Sequence, residues 1–266
     1  MISLGKHNMD GTIDHVVLHV RNVYKSAQWY IENMEYENKK ESIDHSSNGE
    51  LTSIFLGPQN TNKEVVNLRL KNRNKSDELS VKRSRKHIAV RVPEGELNDY
   101  YHQLIQNGVT NYRDPESCDN RFAFVKDPDG HEIQIVESDQ SPVWSIDHIM
   151  MPVTDPDRSL GFWIRNFDYY LKNRVELDSF SAYFVKPRGS TSEAASIELI
   201  YEPDLQLQEE NNLWGHVSIR VDDLLKDWEN LMNRGAPDLR KPKDSELSSA
   251  LTATPTGHEI ELIANW

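Results

Sequence analysis

The feature that most constrains the fold of this chain is a fourfold internal repeat. Four segments begin with a histidine and continue as a β-branched, largely apolar run typical of a strand. They start at His15, His87, His148 and His216, at intervals of 72, 61 and 68 residues. A repeat of this length means that one small module is used four times, so the fold of a single module determines most of the structure.

Each opening strand is followed by an amphipathic stretch with large apolar residues at helical spacing, around Trp29, Tyr100, Trp163 and Trp228. Each unit then closes with a strand in which one polar residue stands between apolar neighbours. These polar residues are Asn67, Gln134, Glu198 and Glu261. Turn sequences precede two of the closing strands, at Asp127 to Gly130 and Pro255 to Gly257. The pattern predicts an α+β fold of four modules, each with an opening strand, a helix and a hairpin that closes the sheet.

The short polar segment from Glu137 to Ser145 divides the chain into two halves of two modules each. We therefore predict an N-terminal domain at 1–138 and a C-terminal domain at 144–266, with the modules paired in chain order. The alternative joins the first module with the fourth and the second with the third. The short linker and the presence of both closing-strand glutamates in one half favour chain-order pairing.

Composition excludes several classes of protein. A formal net charge of −13 over 266 residues disfavours binding to nucleic-acid phosphates. The single cysteine, Cys118, excludes an intramolecular disulfide framework and a cysteine-rich zinc site. No stretch approaches about 18 consecutive apolar residues, and the first residues lack an apolar signal region. We expect a cytoplasmic protein without a membrane segment, either a monomer or a homodimer.

These motifs resemble the vicinal oxygen chelate superfamily, which contains glyoxalase I, bleomycin-resistance proteins and extradiol dioxygenases. The resemblance is carried by the opening histidine strands, by Ser26, Trp29 and Tyr30 on the first helix, and by the sequence from Asp127 to Gln134. It covers nearly all of the chain. It implies that the four modules are βαβββ units and that pairs of them form half-open β-barrels, or cups. It also implies that metal ligands come from the first and last strands of each module.

The resemblance implies a divalent metal site in the second half of the chain, with the ligands His148, Glu198, His216 and Glu261. Two carboxylates would neutralise a dication in a cup of low dielectric constant. The first half offers His15, Asn67, His87 and Gln134. Two neutral amides leave the charge of a dication uncompensated, so the first half is predicted to be a degenerate metal site. The metal could be nickel, zinc, manganese or iron.

The resulting hypothesis is a glyoxalase I-like lyase or isomerase in which Glu261 or Glu198 carries a proton between carbons of the substrate. One alternative is an extradiol ring-cleaving dioxygenase with iron held by His148, His216 and Glu261. Against it, Thr252 and Ala253 stand where the tyrosine of that family is expected. Another alternative is a non-catalytic small-molecule binding or resistance protein, with a cavity lined by Phe180, Tyr183, Phe184 and Trp214.

Three smaller expectations complete the predictions. His131 and His258 occupy equivalent positions after a turn, and we expect them to be structural and to face outward. The cations Arg165, Lys186 and Arg188 are candidates for a position near the cup. The acidic run at 206–212 is expected to be a solvated loop or part of a lid.

Overall fold

The computed structural model describes residues 11–43, 51–61, 64–73, 86–119, 121–140, 142–203, 213–242 and 249–264. The loop or lid predicted at 206–212 lies outside these ranges. Within them, each module begins with its histidine strand, continues with one helix and ends with the predicted closing strand.

The elements follow the repeat. The first module contains β1 (Ile13–Val20), α1 (Val23–Met34), β2 (Tyr36–Ile43), β3 (Leu51–Pro58) and β4 (Asn67–Asn72). The second contains β5 (His87–Pro93), α2 (Leu97–Gln106), β6 (Thr110–Arg113), a 3-10 turn (Glu116–Cys118), β7 (Phe122–Lys126) and β8 (Glu132–Ser138). The third contains β9 (Ile146–Val153), α3 (Pro156–Phe167), β10 (Tyr169–Glu176), β11 (Ser181–Pro187) and β12 (Ser196–Tyr201). The fourth contains β13 (Trp214–Val221), α4 (Leu224–Asn233), β14 (Ala250–Ala253) and β15 (Glu259–Ala264).

In the part of the chain that the structure describes, three of the four α-helices begin at a side-chain cap. The side chains of Asn22, Asp155 and Asp223 each accept a hydrogen bond from the backbone N–H three residues later, which satisfies a donor that a helix N-terminus leaves unpaired. Helices α1 and α3 pack against strands of their own modules. Large side chains such as Tyr30 and Trp163 are completely buried there and join the core. The local sequence thus specifies the helix and strands of each module, and the Tyr30 hydroxyl also donates to Asp127 of the second module.

The modules pair in the exchanged order. The seven-stranded sheet has the order β14-β15-β13-β1-β4-β3-β2, and the eight-stranded sheet has the order β10-β11-β12-β9-β5-β8-β7-β6. Modules one and four therefore share one sheet, joined by the antiparallel pair β1 and β13, and modules two and three share the other through β5 and β9. The predicted class and the half-open sheets are confirmed. Chain-order pairing was wrong, because the short linker after β8 leads into a strand of the same sheet.

Two tyrosines link the sheets in a reciprocal way. The Tyr36 hydroxyl, at the start of β2, donates to the backbone carbonyl of Trp144, which precedes β9, at 2.6 Å. The Tyr169 hydroxyl, at the start of β10, donates to the carbonyl of Gly11, which precedes β1, at 2.7 Å. Both hydroxyls are buried, so each bond satisfies a donor and an acceptor that would otherwise be costly at the interface.

Two histidines make a second reciprocal pair. His131 Nε2 donates to the carbonyl of Leu213 at 2.9 Å, and His258 Nε2 donates to the carbonyl of Pro152 at 2.7 Å. Their exposed fractions are 1% and 3%, so the expectation that they face outward was wrong. Their role is structural, but they act inside the interface between the sheets, where each satisfies a backbone carbonyl of the opposite sheet.

Candidate metal sites

Among the described residues, the exchanged pairing creates two clusters of candidate ligands. We call the cluster between modules two and three the inner site, formed by His87, Gln134, His148 and Glu198. We call the cluster between modules one and four the outer site, formed by His15, Arg69, His216 and Glu261. The four predicted ligands are therefore not brought together, since His148 and Glu198 lie in one cluster while His216 and Glu261 lie in the other.

Strand register decides which closing-strand residue belongs to each cluster. In the later three modules, the residue two places after the opening histidine pairs with the candidate ligand: Ala89 with Gln134, Met150 with Glu198, and Ser218 with Glu261. In the first module the corresponding residue, Val17, pairs with Arg69, whereas Asn67 pairs with His15 itself. The equivalent position is thus held by Arg69. The sequence analysis missed it because Arg69 also stands between two leucines, two residues after Asn67.

The inner site brings two imidazoles to one carboxylate oxygen. Glu198 Oε2 lies 3.4 Å from His87 Nε2 and 3.3 Å from His148 Nε2. The amide oxygen of Gln134 lies 3.0 Å from His148 Nε2. All four side chains belong to buried residues. His87, predicted to belong to a degenerate site, is therefore a full member of this cluster.

A second layer of polar groups orients His148. Its Nδ1 donates to Asp147 at 2.8 Å, and the completely buried Arg91 donates from Nε to the other oxygen of Asp147 at 2.9 Å. Burial lowers the pKa of His148, but the Glu198 and Asp147 carboxylates outweigh this effect and raise that pKa to about 9. His148 and His87 in turn hold the pKa of Glu198 far below its ordinary value against the effect of burial. The arrangement directs Nε2 of His148 into the cluster.

The inner residues fit a divalent ion. His87 Nε2 and Glu198 Oε2 are buried and have no hydrogen-bond partner among the described residues. Buried polar atoms are rarely left unpaired, because each costs about 1–3 kcal/mol. Two imidazoles and one carboxylate are the ligand mixture of zinc and non-haem iron sites. The unpaired atoms that point at one another are what a metal ion would satisfy.

The outer site is arranged differently. Glu261 Oε2 lies 3.0 Å from His216 Nε2 and 3.9 Å from His15 Nε2. The Ser218 hydroxyl lies between these groups, donating to Glu261 Oε2 at 2.7 Å and lying 3.0 Å from His15 Nε2. The other oxygen of Glu261 accepts from Ser249 and from Arg240. Burial raises the pKa of Glu261, but His216 and the two serines lower it to well below the ordinary value.

Each cluster opens into a cavity. The inner cavity, of about 450 Å³, has an aromatic wall that includes Tyr112, Phe122, Phe124 and Phe180. The outer cavity, of about 440 Å³, is lined by the cations Lys39, Lys40 and Arg69 together with Asn67, which lies on its wall.

The other residues singled out from the sequence are distributed as follows. Among the predicted aromatic residues, Phe180 lines the inner cavity and Phe184 packs against the ring of His148, with 5.3 Å between ring centroids. Tyr183 and Trp214 belong to the hydrophobic core. The cations Arg165, Lys186 and Arg188 line neither cavity.

Comparison with models of protein families shows to which superfamily the chain belongs. The model of the Glyoxalase/Bleomycin resistance protein/Dioxygenase superfamily matches residues 12–135 and again residues 145–262. The chain belongs to this superfamily. The two matches meet at the predicted linker, although each sheet combines one module from each match.

Among curated proteins, the chain is 30% identical over 123 residues to a probable lactoylglutathione lyase of Vibrio cholerae, covering 44% of this chain and 88% of that protein. It is 29% identical over 110 residues to a lactoylglutathione lyase of Arabidopsis thaliana, covering 41% of this chain but only 38% of that protein.

Solved structures share the fold over most of the chain. Glyoxalase I from Zea mays matches with a TM-score of 0.79 at 18% identity, covering 96% of this chain and 93% of that chain. A putative dioxygenase from Bacillus subtilis matches with a TM-score of 0.69 at 12% identity, covering 97% and 86%. In the described part of the protein, none of the helices has the length and apolar character needed to cross a membrane.

Proposed function

We propose that the protein is a metal-dependent enzyme of the glyoxalase I-like lyase or isomerase type, and that its metal is held in the inner site. The observation that carries the proposal is the convergence of His87, His148 and Glu198, with two unpaired buried atoms, in a cavity of about 450 Å³. The similarity to proteins named lactoylglutathione lyase supports the choice of reaction.

In this proposal His87, His148 and Glu198 hold the metal, and the Gln134 carbonyl oxygen is a fourth ligand. A metal held there would supply Lewis acidity to the substrate. Glu198 is the only carboxylate of the cluster, so it also moves the proton between neighbouring carbons of the substrate. The aromatic wall covers the apolar part of the substrate and excludes water.

Proton transfer is assigned to Glu198 and not to Glu261. Glu261 was predicted to share one site with Glu198, but it lies in the other sheet, where serines and Arg240 already donate to its two oxygens. Glu198 Oε2 has no such donor among the described residues. A carboxylate that must accept a proton is better placed where its oxygen is not already hydrogen-bonded.

A second candidate function is ring cleavage by an extradiol dioxygenase. The observation that favours it is the ligand count of the inner site, because two histidines with a single carboxylate form the set that binds iron in many oxygenases. The aromatic wall suits a flat ring. The triad predicted from the sequence, His148 with His216 and Glu261, is not assembled, so this function would use His87, His148 and Glu198.

The test combines metal analysis with a substrate panel. Purified wild-type protein should contain about one equivalent of metal, which His87→Ala should lose, while the matched variant His15→Ala should retain it. Nickel or zinc together with turnover of thiol adducts of 2-oxoaldehydes supports the isomerase. Iron together with oxygen-dependent turnover of catechols supports the second candidate. Equal metal content in wild type and His87→Ala would contradict both, and wild-type protein without stoichiometric metal would favour a non-catalytic binding protein.

A further inference from the structure

We infer that the outer site is a metal-free binding site for a small anion that presents a carboxylate or phosphate group. This site is separate from the inner metal site and goes beyond the proposed function. Three features of the outer cluster lead to this inference: the residue at its fourth corner, the pairing of its carboxylate and the charge of its cavity.

The first feature is the guanidinium of Arg69 at a position equivalent to a metal ligand. Its register with Val17 matches that of Glu198 with Met150 in the third module. An arginine offers only donors and stays charged at any physiological pH, so it cannot ligate a cation and repels a dication a few ångströms away. A fixed positive charge therefore stands where the inner site has a carboxylate.

The surroundings of Arg69 leave its outer end available. Its Nε donates to the Ser53 hydroxyl at 3.3 Å, and its guanidinium carbon lies 5.1 Å from the centre of the Phe55 ring. No residue in the described ranges hydrogen-bonds its two terminal nitrogens, and Arg69 lines the outer cavity. An arginine held at Nε and supported by a ring is oriented to receive an oxyanion on its terminal nitrogens.

The second feature is that Glu261 is already paired. Ser218 donates to one of its oxygens, and Ser249 and Arg240 donate to the other. At the position equivalent to Ser218 the inner site has Ala89, which has no hydroxyl. Both oxygens of Glu261 therefore have hydrogen-bond donors without a metal, whereas Oε2 of the inner carboxylate has none among the described residues. The outer-site atom without a partner there is His216 Nε2, a nitrogen and not a carboxylate oxygen.

The third feature is the charge of the outer cavity. Lys39, Lys40 and Arg69 line it, while its carboxylates are Asp14 and Glu261. Asp14 is already paired with His15 and Arg220. Lys39 is likewise paired with Glu37. The remaining wall charges, Lys40, Arg69 and Glu261, leave a positive surplus in a protein of net charge −13. A cavity of about 440 Å³ is large enough for a small organic anion.

The direct test is calorimetric titration of the full-length, chelator-treated protein with succinate and, separately, with inorganic phosphate. At least one of the two should bind with a stoichiometry near one, and the stronger of them identifies the anionic group. Arg69→Gln should weaken that binding at least tenfold, since it removes a charged hydrogen-bond donor. Arg113→Gln, in the wall of the inner cavity, should leave it unchanged. No saturable binding of either anion, or equal binding to Arg69→Gln, would overturn the inference.

A gain-of-function variant tests the exclusion of metal. Arg69→Glu places a second carboxylate in the outer site, at the position equivalent to Glu198. The metal content after dialysis should therefore rise by about one equivalent over wild type. Thermal unfolding of the variant checks that it is folded. A folded variant with unchanged metal content would overturn the electrostatic argument.

The inference and the proposed function can fail separately. If wild type holds two equivalents and loses one in Glu261→Gln, the outer site binds metal and the inference is wrong, while the inner site stands. If wild type holds none, the proposed metal enzyme fails, and the anion titration still decides the inference.

Discussion

The inner and outer sites are built on the same strand positions, yet they differ in the residues at the two closing-strand positions. The inner site has Glu198 in module three and the amide Gln134 in module two. The outer site has Glu261 in module four and Arg69 in module one. By register, Glu198 is equivalent to Arg69 and Gln134 to Glu261. Each site therefore carries one carboxylate. At the remaining closing-strand position the inner site has the neutral Gln134, and the outer site has the positively charged Arg69.

The same comparison extends to the two turns that join the sheets. In the second module His131 is paired at 2.7 Å with the buried Asp127, which also accepts from the Tyr30 hydroxyl at 3.0 Å. In the fourth module the residue equivalent to Asp127 is Thr254, whose hydroxyl accepts from the backbone N–H of His258 at 3.1 Å. The turn of the second module is therefore held by an ion pair, and the equivalent turn of the fourth module by a neutral hydrogen bond.

The largest effect is expected from removing the charge of each carboxylate in turn. Glu198→Gln should lower turnover about 10³-fold and reduce metal content, because the group is proposed to be both ligand and proton carrier. Glu261→Gln should keep the metal content of wild type. Metal analysis and initial rates of the two variants check this. If Glu261→Gln loses the metal while Glu198→Gln keeps it, the roles of the two sites are reversed.

The next effect concerns the charged turn. Asp127→Asn leaves a buried histidine without its counter-ion and should cost about 3 kcal/mol of unfolding free energy, measured in urea. Thr254→Val, the matched change in the neutral turn, should cost about 1 kcal/mol.

The pH dependence of stability sharpens this prediction. Burial disfavours the charged ring, but Asp127 raises the pKa of His131 above 6.5. The ion pair between His131 and Asp127 therefore contributes its full stabilisation of the folded protein below pH 6.5. This contribution is lost as the pH rises through the higher pKa that His131 has in the folded protein. Asp127→Asn should lack this alkaline loss. An unchanged pH profile in the variant would show that the ion pair does not form.

A smaller effect is expected from Ser218→Ala. The change leaves Glu261 Oε2 and His15 Nε2 without the hydroxyl between them, so it should lower the unfolding free energy by about 2 kcal/mol. Denaturant unfolding measures the change, and Ser249→Ala serves as the control at the other oxygen of Glu261. A neutral Ser218→Ala would mean that the outer carboxylate is satisfied without the hydroxyl.

The smallest effect is expected from Ala89→Ser, which gives the inner site the hydroxyl of the outer one. The hydroxyl would lie beside His148 and Gln134 and compete with the metal for their polar atoms. Metal affinity should fall about tenfold, the equivalent of one hydrogen bond. Competition with a chromogenic chelator measures the affinity. Unchanged affinity would show that the hydroxyl at this position does not distinguish the two sites.

Much of the fold could be predicted from local patterns, because each module is specified within its own 45 to 52 residues from opening histidine to closing polar residue. The candidate site was predicted only in part. His148, Glu198, His216 and Glu261 all lie in the clusters, but the partners assigned to them were wrong. Arg69 was missed because strand alternation repeats every two residues, so Asn67 and Arg69 fit the pattern equally well.

The sequence by itself determined the four modules, their order of helix and strands, and the superfamily. Helix caps, turns and alternating strands depend on residues a few positions apart, and they are the same whichever module lies next to them. Only the tertiary structure decided that module one pairs with module four. That choice depends on contacts between residues more than 200 positions apart, such as the pairing of Ile13 with Ile219 and of Val16 with Val217 between β1 and β13. A sheet edge accepts either partner through the same backbone hydrogen bonds, so no local pattern could separate the two pairings.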